Sequence, residues 1–285
     1  MGFAVSIDGR VGSPEEVTLK VTDNGFVFGD SAYETLRTYG GRPFELDRHL
    51  RRLRRSIGLL GFDLKTSDDE MRARIDASLS FAGNAESYLR VIVSRGIGDM
   101  SYRFERIPAP TVAIYVKPLE PNNEALYEKG AVAVIVSIRR NPVEALSPAI
   151  KSSNLLNNAL ATREAYGKGA FEAILLNTRG EVAEGAGSNV FIVKGGLLAT
   201  PPLSCGLLAG ITRELVLEIA AATGVPHEER VLYPEDLEGA DELFITSTLK
   251  ELAPMVTLDG AAIGDGKPGP VTKALLKGYR ARIGK

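Results

Sequence analysis

A mixed α+β fold in two domains is predicted for this chain from three observations. Its 285 residues suffice for one large domain or two medium ones, either with a substantial core. Candidate helices and strands are mixed along it without the strict βαβ alternation of a doubly wound sheet. The run Lys117-Pro118-Leu119-Glu120-Pro121-Asn122-Asn123, with two prolines and turn residues, is the best place for a linker. The expected division is a small α/β domain over 1–117, a linker over 118–129 and a larger α/β domain over 130–285.

The elements follow in order. Residues 3–39 read as short strands and turns, with a hairpin edge at Ala4-Val5-Ser6-Ile7 turned by Asp8-Gly9. Asp47 is a candidate N-cap for a helix that carries Leu50, Leu53, Ile57 and Leu60 on one stripe and stops at Gly61. A second helix is expected over 68–82, and β-rich runs over 88–94 and 111–116. Beyond the linker, 131–138 is a continuous β-branched run, too buried-looking for an edge strand. A helix over 154–166 follows, then strands at 173–176 and 190–193. The chain closes with a helix over 212–223 ending at Gly224, a strand over 242–246 and a helix over 272–282. There is no internal repeat and no low-complexity tract.

Composition removes several classes of function. Apolar residues make up 44% and charged residues 25%, ordinary values for a soluble globular protein. A net charge of −2 gives no electrostatic reason to expect nucleic acid or a membrane surface. The lone cysteine, Cys205, rules out an internal disulfide framework and fits a reducing cytoplasm. No apolar run approaches the roughly 18 residues of a membrane span. The start, Met1-Gly2-Phe3-Ala4, lacks the charged n-region of a signal peptide, so a cytoplasmic location is expected. With only His49 and His227 and no cysteine pair, a zinc site of the usual kind is not expected. Neither histidine sits in a nucleophile–base motif, and Walker A is missing. The string Gly185-Ala186-Gly187-Ser188-Asn189-Val190 is half a dinucleotide fingerprint that precedes a strand rather than a helix, and is rejected.

Four places carry chemistry. Lys151, in Ala149-Ile150-Lys151-Ser152-Ser153-Asn154-Leu155-Leu156-Asn157-Asn158, joins an apolar run to an amphipathic helix with no carboxylate close in sequence. That suits an amine that must be neutral to attack a carbonyl, because desolvation disfavours the ammonium form. A surface lysine at a strand end is the plain alternative. Gly210-Ile211-Thr212-Arg213 opens a helix whose apolar face is Leu215, Val216, Ile219 and Ala220. Free amides and the dipole at such an end bind a phosphate dianion, and Thr212 adds a hydroxyl, although Thr is also an ordinary N-cap. Glu184 stands in a turn-rich segment beside the similar Glu181. On a strand over 88–94, Tyr88 and Arg90 point to the same face. An inward arginine needs an anionic partner, either a substrate carboxylate or a structural Asp or Glu.

These segments resemble the class IV (fold type IV) pyridoxal-phosphate aminotransferases. The match runs along nearly the whole chain. It passes through Gly29-Asp30-Ser31-Ala32-Tyr33-Glu34-Thr35-Leu36-Arg37, the helix with His49-Leu50-Arg51-Arg52-Leu53, and Lys151. It continues through Glu184-Gly185-Ala186-Gly187-Ser188-Asn189-Val190-Phe191, Gly210 to Arg213, and Asp241-Glu242-Leu243-Phe244-Ile245-Thr246-Ser247-Thr248. The resemblance implies a two-domain fold with pyridoxal 5′-phosphate between the domains and a homodimer as the minimal active unit. It implies that Lys151, in the larger domain, carries the cofactor aldehyde and then moves the substrate's proton as general base. It gives the pyridine nitrogen to Glu184, and the rest of the cofactor to Arg52, Leu208, Ile211, Thr212 and Thr248. For Arg52 the resemblance stands alone. At ~100° per residue Arg52 lies roughly 120° from the centre of the apolar stripe, with Arg54 and His49 nearer, and the five arginines of that helix otherwise read as a solvated face.

Three subfamilies share this frame: branched-chain L-aminotransferases, D-amino acid transaminases and aminodeoxychorismate lyases. Tyr33 to Arg37 and Tyr88-Leu89-Arg90 resemble the branched-chain pattern, in which such groups line the substrate pocket. Lys151-Ser-Ser-Asn-Leu-Leu and Ser247-Thr248 are more similar to the D-specific and lyase members. The R-x-H carboxylate trap usual in D-transaminases is replaced by Met100-Ser101-Tyr102 behind Ser94-Arg95-Gly96. The expected activity is amino-group exchange between an amino acid and a 2-oxo acid such as 2-oxoglutarate. Branched-chain or other hydrophobic L-amino acids come first and D-amino acids second, with release of pyruvate from aminodeoxychorismate as the alternative reaction. Tyr33, Arg37, Tyr88, Arg90 and Lys250 are the expected substrate-binding residues.

Overall fold

The computed structural model describes residues 2–103, 109–121 and 123–284. They form two compact units, Met1–Pro121 with Ile150–Asn154, and Asn122–Ala149 with Leu155–Lys285.

The first unit contains β1 (Ala4–Ile7), β2 (Arg10–Gly12), α1 (Asn24–Phe28), β3 (Ser31–Tyr39), β4 (Arg42–Pro43), α2 (Leu46–Leu59), α3 (Asp68–Ala82), β5 (Ser87–Ser94) and β6 (Thr111–Pro118). The strands form one antiparallel sheet in the order β2-β1-β6-β5-β3-β4. The hairpin at Asp8-Gly9 forms as its sequence requires, with both residues at positive φ. Strand alternation divides the side chains between two faces. Ala32, Leu36, Leu89, Val91, Val93, Ile114 and Val116 pack against Leu50, Leu53 and Ile57 of α2 and Met71 and Ile75 of α3. Full burial of each large apolar side chain contributes about 1.5–3 kcal/mol. Tyr33, Arg37, Tyr88 and Arg90 have the opposite parity and so share the other face.

Asp47 does not cap α2. The N-cap is Glu45 in a left-handed conformation, and Asp47 lies in the first turn, where its carboxylate pairs with Arg72 at 2.7 Å. The helix buries two adjacent stripes, Leu50, Leu53 and Ile57, and beside them His49 and Ser56. α3 begins at a capping box between Ser67 and Glu70.

The second unit contains α4 (Ala125–Lys129), β7 (Ala131–Ile135), α5 (Leu156–Gly167), β8 (Glu172–Leu176), β9 (Val182–Gly185), β10 (Asn189–Lys194) and β11 (Leu197–Thr200). After these come α6 (Ile211–Thr223), β12 (His227–Glu229), α7 (Pro234–Glu238), β13 (Glu242–Ser247), β14 (Glu251–Leu258), β15 (Ala261–Ala262) and α8 (Pro270–Arg282). The strand order is β12-β11-β10-β13-β14-β7-β8-β9, with β15 paired to β14. Val190, Ile192, Leu243, Ile245, Ala253 and Met255 lie at the centre of its core. β7 is shorter than the β-branched run suggested, because the Ser137 N–H beyond it turns to the Glu164 carboxylate at 2.9 Å. α5 starts at Leu156 rather than at 154, since Asn154 donates its amide to the Gly29 carbonyl at 2.9 Å.

Ile150–Asn154, part of the first unit, forms a strap whose backbone bonds run to β3. Lys151 O accepts from Tyr33 N at 2.9 Å, and Ser153 N donates to Ser31 O at 2.9 Å. The Lys151 N–H donates to Ser56 Oγ at 3.1 Å. Lys151 is thus set by β3 and α2.

Candidate active site

In the first unit, Tyr33 gathers two of the residues singled out by sequence. Lys151 Nζ lies 4.5 Å from the centre of its ring and 3.5 Å from its hydroxyl. The Arg90 guanidinium lies 4.7 Å from the same ring centre and 5.9 Å from that of Tyr88. Neither cation has a carboxylate partner among the described residues, and Arg90 Nε is buried without a hydrogen bond. The structural Asp or Glu that would make Arg90 an ordinary buried ion pair is therefore missing from that set. Arg37 stands opposite Tyr88 in the β3–β5 register and stacks over Tyr39 at 4.1 Å. It shares the sheet face but a different ring.

Arg52 lies inward, on the buried second stripe of α2. Its Nε and Nη2 each donate to Glu34 at 2.7 Å, and His49 Nδ1 donates to the same carboxylate at 2.7 Å. Burial alone would raise the Glu34 carboxyl, but the Arg52 charge and the hydrogen bonds from Arg52 and His49 outweigh it and lower it to about 2. Burial lowers His49, more than Glu34 raises it. The imidazole is therefore neutral at pH 7, with Nδ1 carrying its proton toward an acceptor that can only accept. The apolar stripe misjudged Arg52 because it measures only the hydrophobic face, and a buried carboxylate on β3 draws the next stripe inward. Arg54, nearer the stripe by angle, instead anchors the loop before α3 through Asp68 and the Leu64 and Thr66 carbonyls.

In the second unit Glu184 is buried on β9 with both oxygens engaged. Arg140 Nε donates to Oε1 at 2.6 Å and the Leu208 N–H donates to Oε2 at 3.0 Å. Arg140 is held in turn by Asn157 at 3.1 Å. Each carboxylate oxygen has a second lone pair, so Glu184 keeps capacity for one more donor. Sequence reasoning missed Arg140; its only signal was a charged pair, Arg139-Arg140, directly after an apolar strand run. It also missed a role for Asn189, which donates to the Leu208 carbonyl at 2.9 Å. Gly210 is required here, because a Cβ at that position would overlap Asn189 Oδ1. Leu208 and Gly210 are thereby fixed just before α6, whose first turn has no side-chain cap and buries Ile211 and Thr212. Arg213 turns away to the Pro201 carbonyl and Glu229. Thr248 lies in the turn after β13. Lys250 directs its amine to Glu172 at 2.8 Å.

Pyridoxal phosphate needs an amine for its aldehyde, an anion cradle, and a carboxylate for its ring nitrogen. The residues fit those needs. Lys151 has no carboxylate partner among the described residues, α6 begins with uncapped amides and a buried threonine, and Glu184 is paired with Arg140 with a lone pair to spare. Burial pushes the Cys205 thiol up to about 11, which removes it as a nucleophile at neutral pH. Among the described residues no helix is long and apolar enough to cross a membrane.

The amino-transferase class IV family model matches residues 31–258. A putative branched-chain-amino-acid aminotransferase of Methanocaldococcus jannaschii is 37% identical over 97% of this chain and 95% of its own length. A D-alanine aminotransferase of Bacillus licheniformis is 35% identical over 94% of this chain and 93% of its own. The solved branched-chain aminotransferase of the thermophilic archaeon Thermoproteus uzoniensis, with norvaline, superposes with a TM-score of 0.91 at 32% identity, covering 98% of this chain and 94% of that one. Like those two-domain fold type IV enzymes, this chain is a transaminase, and it belongs to the class IV aminotransferases.

Proposed function

We propose that the enzyme exchanges the amino group of branched-chain or other hydrophobic L-amino acids with 2-oxoglutarate, using pyridoxal 5′-phosphate bound to Lys151. The observation that carries the substrate reading is the sharing of the Tyr33 ring by Lys151 and Arg90, the latter with no carboxylate partner among the described residues. A guanidinium so placed accepts a substrate carboxylate on the sheet face that also bears the amine. Tyr33 and Tyr88 offer the aromatic surface a hydrophobic side chain needs, and Arg37, opposite Tyr88, a second cation for the distal carboxylate of 2-oxoglutarate.

When bound, the cofactor supplies an electron sink that stabilises negative charge at the substrate Cα. Lys151 would hold the cofactor, and its amine would carry the Cα proton. Glu184, held by Arg140, would accept a hydrogen bond from the ring nitrogen. The amides opening α6, with Ile211, Leu208 and the hydroxyls of Thr212 and Thr248, would take the phosphate, and Arg52, oriented by Glu34, would answer the same charge. The exposed apolar side chains Phe26, Met100 and Tyr102 support a homodimer as the working form, and the single cysteine supports a cytoplasmic site of action.

The test is a half-reaction on the yellow holoenzyme, mixed separately with L-leucine, D-alanine and aminodeoxychorismate. Loss of the visible band with L-leucine is the expected result. Loss with D-alanine alone would transfer Arg90 to a D-amino acid clamp. Release of pyruvate from aminodeoxychorismate, with the band returning, would replace exchange by lysis. Protein incubated with pyridoxal phosphate that shows no visible band would overturn the proposal.

A further inference from the structure

Glu172 opens β8 in the second unit, outside every motif that pointed to the site, yet it is one of the most heavily bonded side chains of that unit. It is 4% exposed. One oxygen accepts the N–H of Ala173 and of Ala186, each at 3.2 Å. The other accepts Ser188 Oγ at 3.0 Å and Lys250 Nζ at 2.8 Å. Ala186 and Ser188 belong to the turn that directly follows Glu184. That turn has no slack, because a Cβ on Gly185 would overlap Ser188 Oγ and press on the Glu172 carboxyl carbon. Lys250 ends the turn that carries Thr248, and is itself fixed on three sides. Its N–H donates to Ser247 Oγ at 3.1 Å, its carbonyl accepts the Tyr127 hydroxyl at 3.2 Å, and its amine lies over the Phe171 ring at 4.8 Å.

We infer that Glu172 and Lys250 form an ionic clasp that ties the turn after Glu184 to the turn bearing Thr248, making both of them positioning residues for the bound cofactor. This rests on the assignment of Glu184 and Thr248 to pyridoxal phosphate. Lys250 then acts through Glu172 and does not touch substrate. The two turns come from segments about sixty residues apart in sequence, and a single buried carboxylate sets their spacing. A buried carboxylate left without its cation is costly, so the clasp is coupled: loss of either partner disturbs both turns.

A cavity of about 220 Å³ lies beside the pair, lined among others by Tyr166, Phe171, Gly187 and Lys250. Shortening Lys250 enlarges an existing space and opens no new void in the core, so Lys250→Met separates positioning from folding. The experiment titrates pyridoxal phosphate into apo-protein of the full chain by fluorescence quenching, with the thermal transition of the same apo-protein recorded alongside. Lys250→Met and Glu172→Gln are each expected to weaken cofactor binding about ten-fold, and the double variant no further than the weaker single, as for groups acting as one unit. Lys250→Arg, which keeps the charge, restores most of the affinity. Unchanged affinity in Lys250→Met, or a double variant whose loss is the product of the singles, overturns the clasp. An equal loss of apo-protein thermal stability with affinity preserved also overturns it, since it marks a purely structural pair. Wild-type protein that takes up no cofactor would instead remove the reading on which the clasp rests, and the clasp with it.

Discussion

The cations of the first unit and the carboxylates of the second are held in opposite ways. Lys151 and Arg90 rest on the Tyr33 ring, and no carboxylate among the described residues pairs with either. Glu184 and Glu172 have both oxygens engaged, each by one cation and by backbone amides. A ring face attracts a cation by roughly 0.5–2 kcal/mol, less than the ~3–5 kcal/mol at stake when a buried ion pair loses one partner. Tyr33 therefore holds its cations in place without satisfying them. The cations on the Tyr33 ring are left with unspent hydrogen bonds, and the carboxylates of the second unit are locked.

Three substitutions bear on that contrast. The largest effect is expected for Arg140→Gln, which leaves Glu184 buried without a cation. Unfolding free energy should fall by about 3 kcal/mol, and affinity for pyridoxal phosphate should drop with it, measured by urea unfolding and cofactor titration. Wild-type behaviour would erase the difference between the two regions. Next comes Arg90→Gln. Because this guanidinium has no carboxylate partner among the described residues, stability should stay within about 0.5 kcal/mol of wild type, while KM for 2-oxoglutarate rises roughly ten- to a hundred-fold with a smaller change in kcat. A stability loss as large as that of Arg140→Gln would mean that Arg90 is structural after all.

The smallest effect concerns Glu34, a carboxylate of the first unit that is locked in the manner of the second. Glu34 is lowered from 4.5 to about 2, so its contribution to stability is present above pH 4.5 and lost as the pH falls toward 2. His49 is lowered from 6.5 by burial, so the unfolded chain takes up that proton first and stability begins to decline as the pH drops below 6.5. Melting temperatures recorded between pH 8 and pH 4 should fall from about pH 6.5 downward. His49→Gln should flatten the upper part of that slope by a few degrees, and an unaltered slope would sink the assignment of His49 as the group responsible.

What could be read from sequence was whatever is local. Strand alternation gave the shared face of Tyr88 and Arg90, the Asp8-Gly9 turn gave its hairpin, and the run around Lys151 marked a lysine with no carboxylate beside it. The supporting residues were out of reach because each is defined by a distant partner. Arg140 reaches Glu184 across 44 positions and Lys250 reaches Glu172 across 78. Periodicity could not have placed Arg52, since the stripe it occupies is buried by a charge, Glu34, and not by apolar contact. The lysine strap was hidden for a similar reason. Its hydrogen bonds run to Tyr33 and Ser31, far back in the chain, and nothing in residues 150–154 announces that pairing.

That strap also orders events during synthesis. The strands and helices of the first unit are complete once β6 has emerged, but the strap with Lys151 is encoded beyond α4 and β7. At roughly 5–20 residues per second the ribosome delivers Lys151 a few seconds later. For that interval the nascent sheet displays Tyr33 and Arg90 with an empty edge along β3, where a strap from another nascent chain could dock. Only when residues 150–154 have emerged does the chain's own strap close that edge.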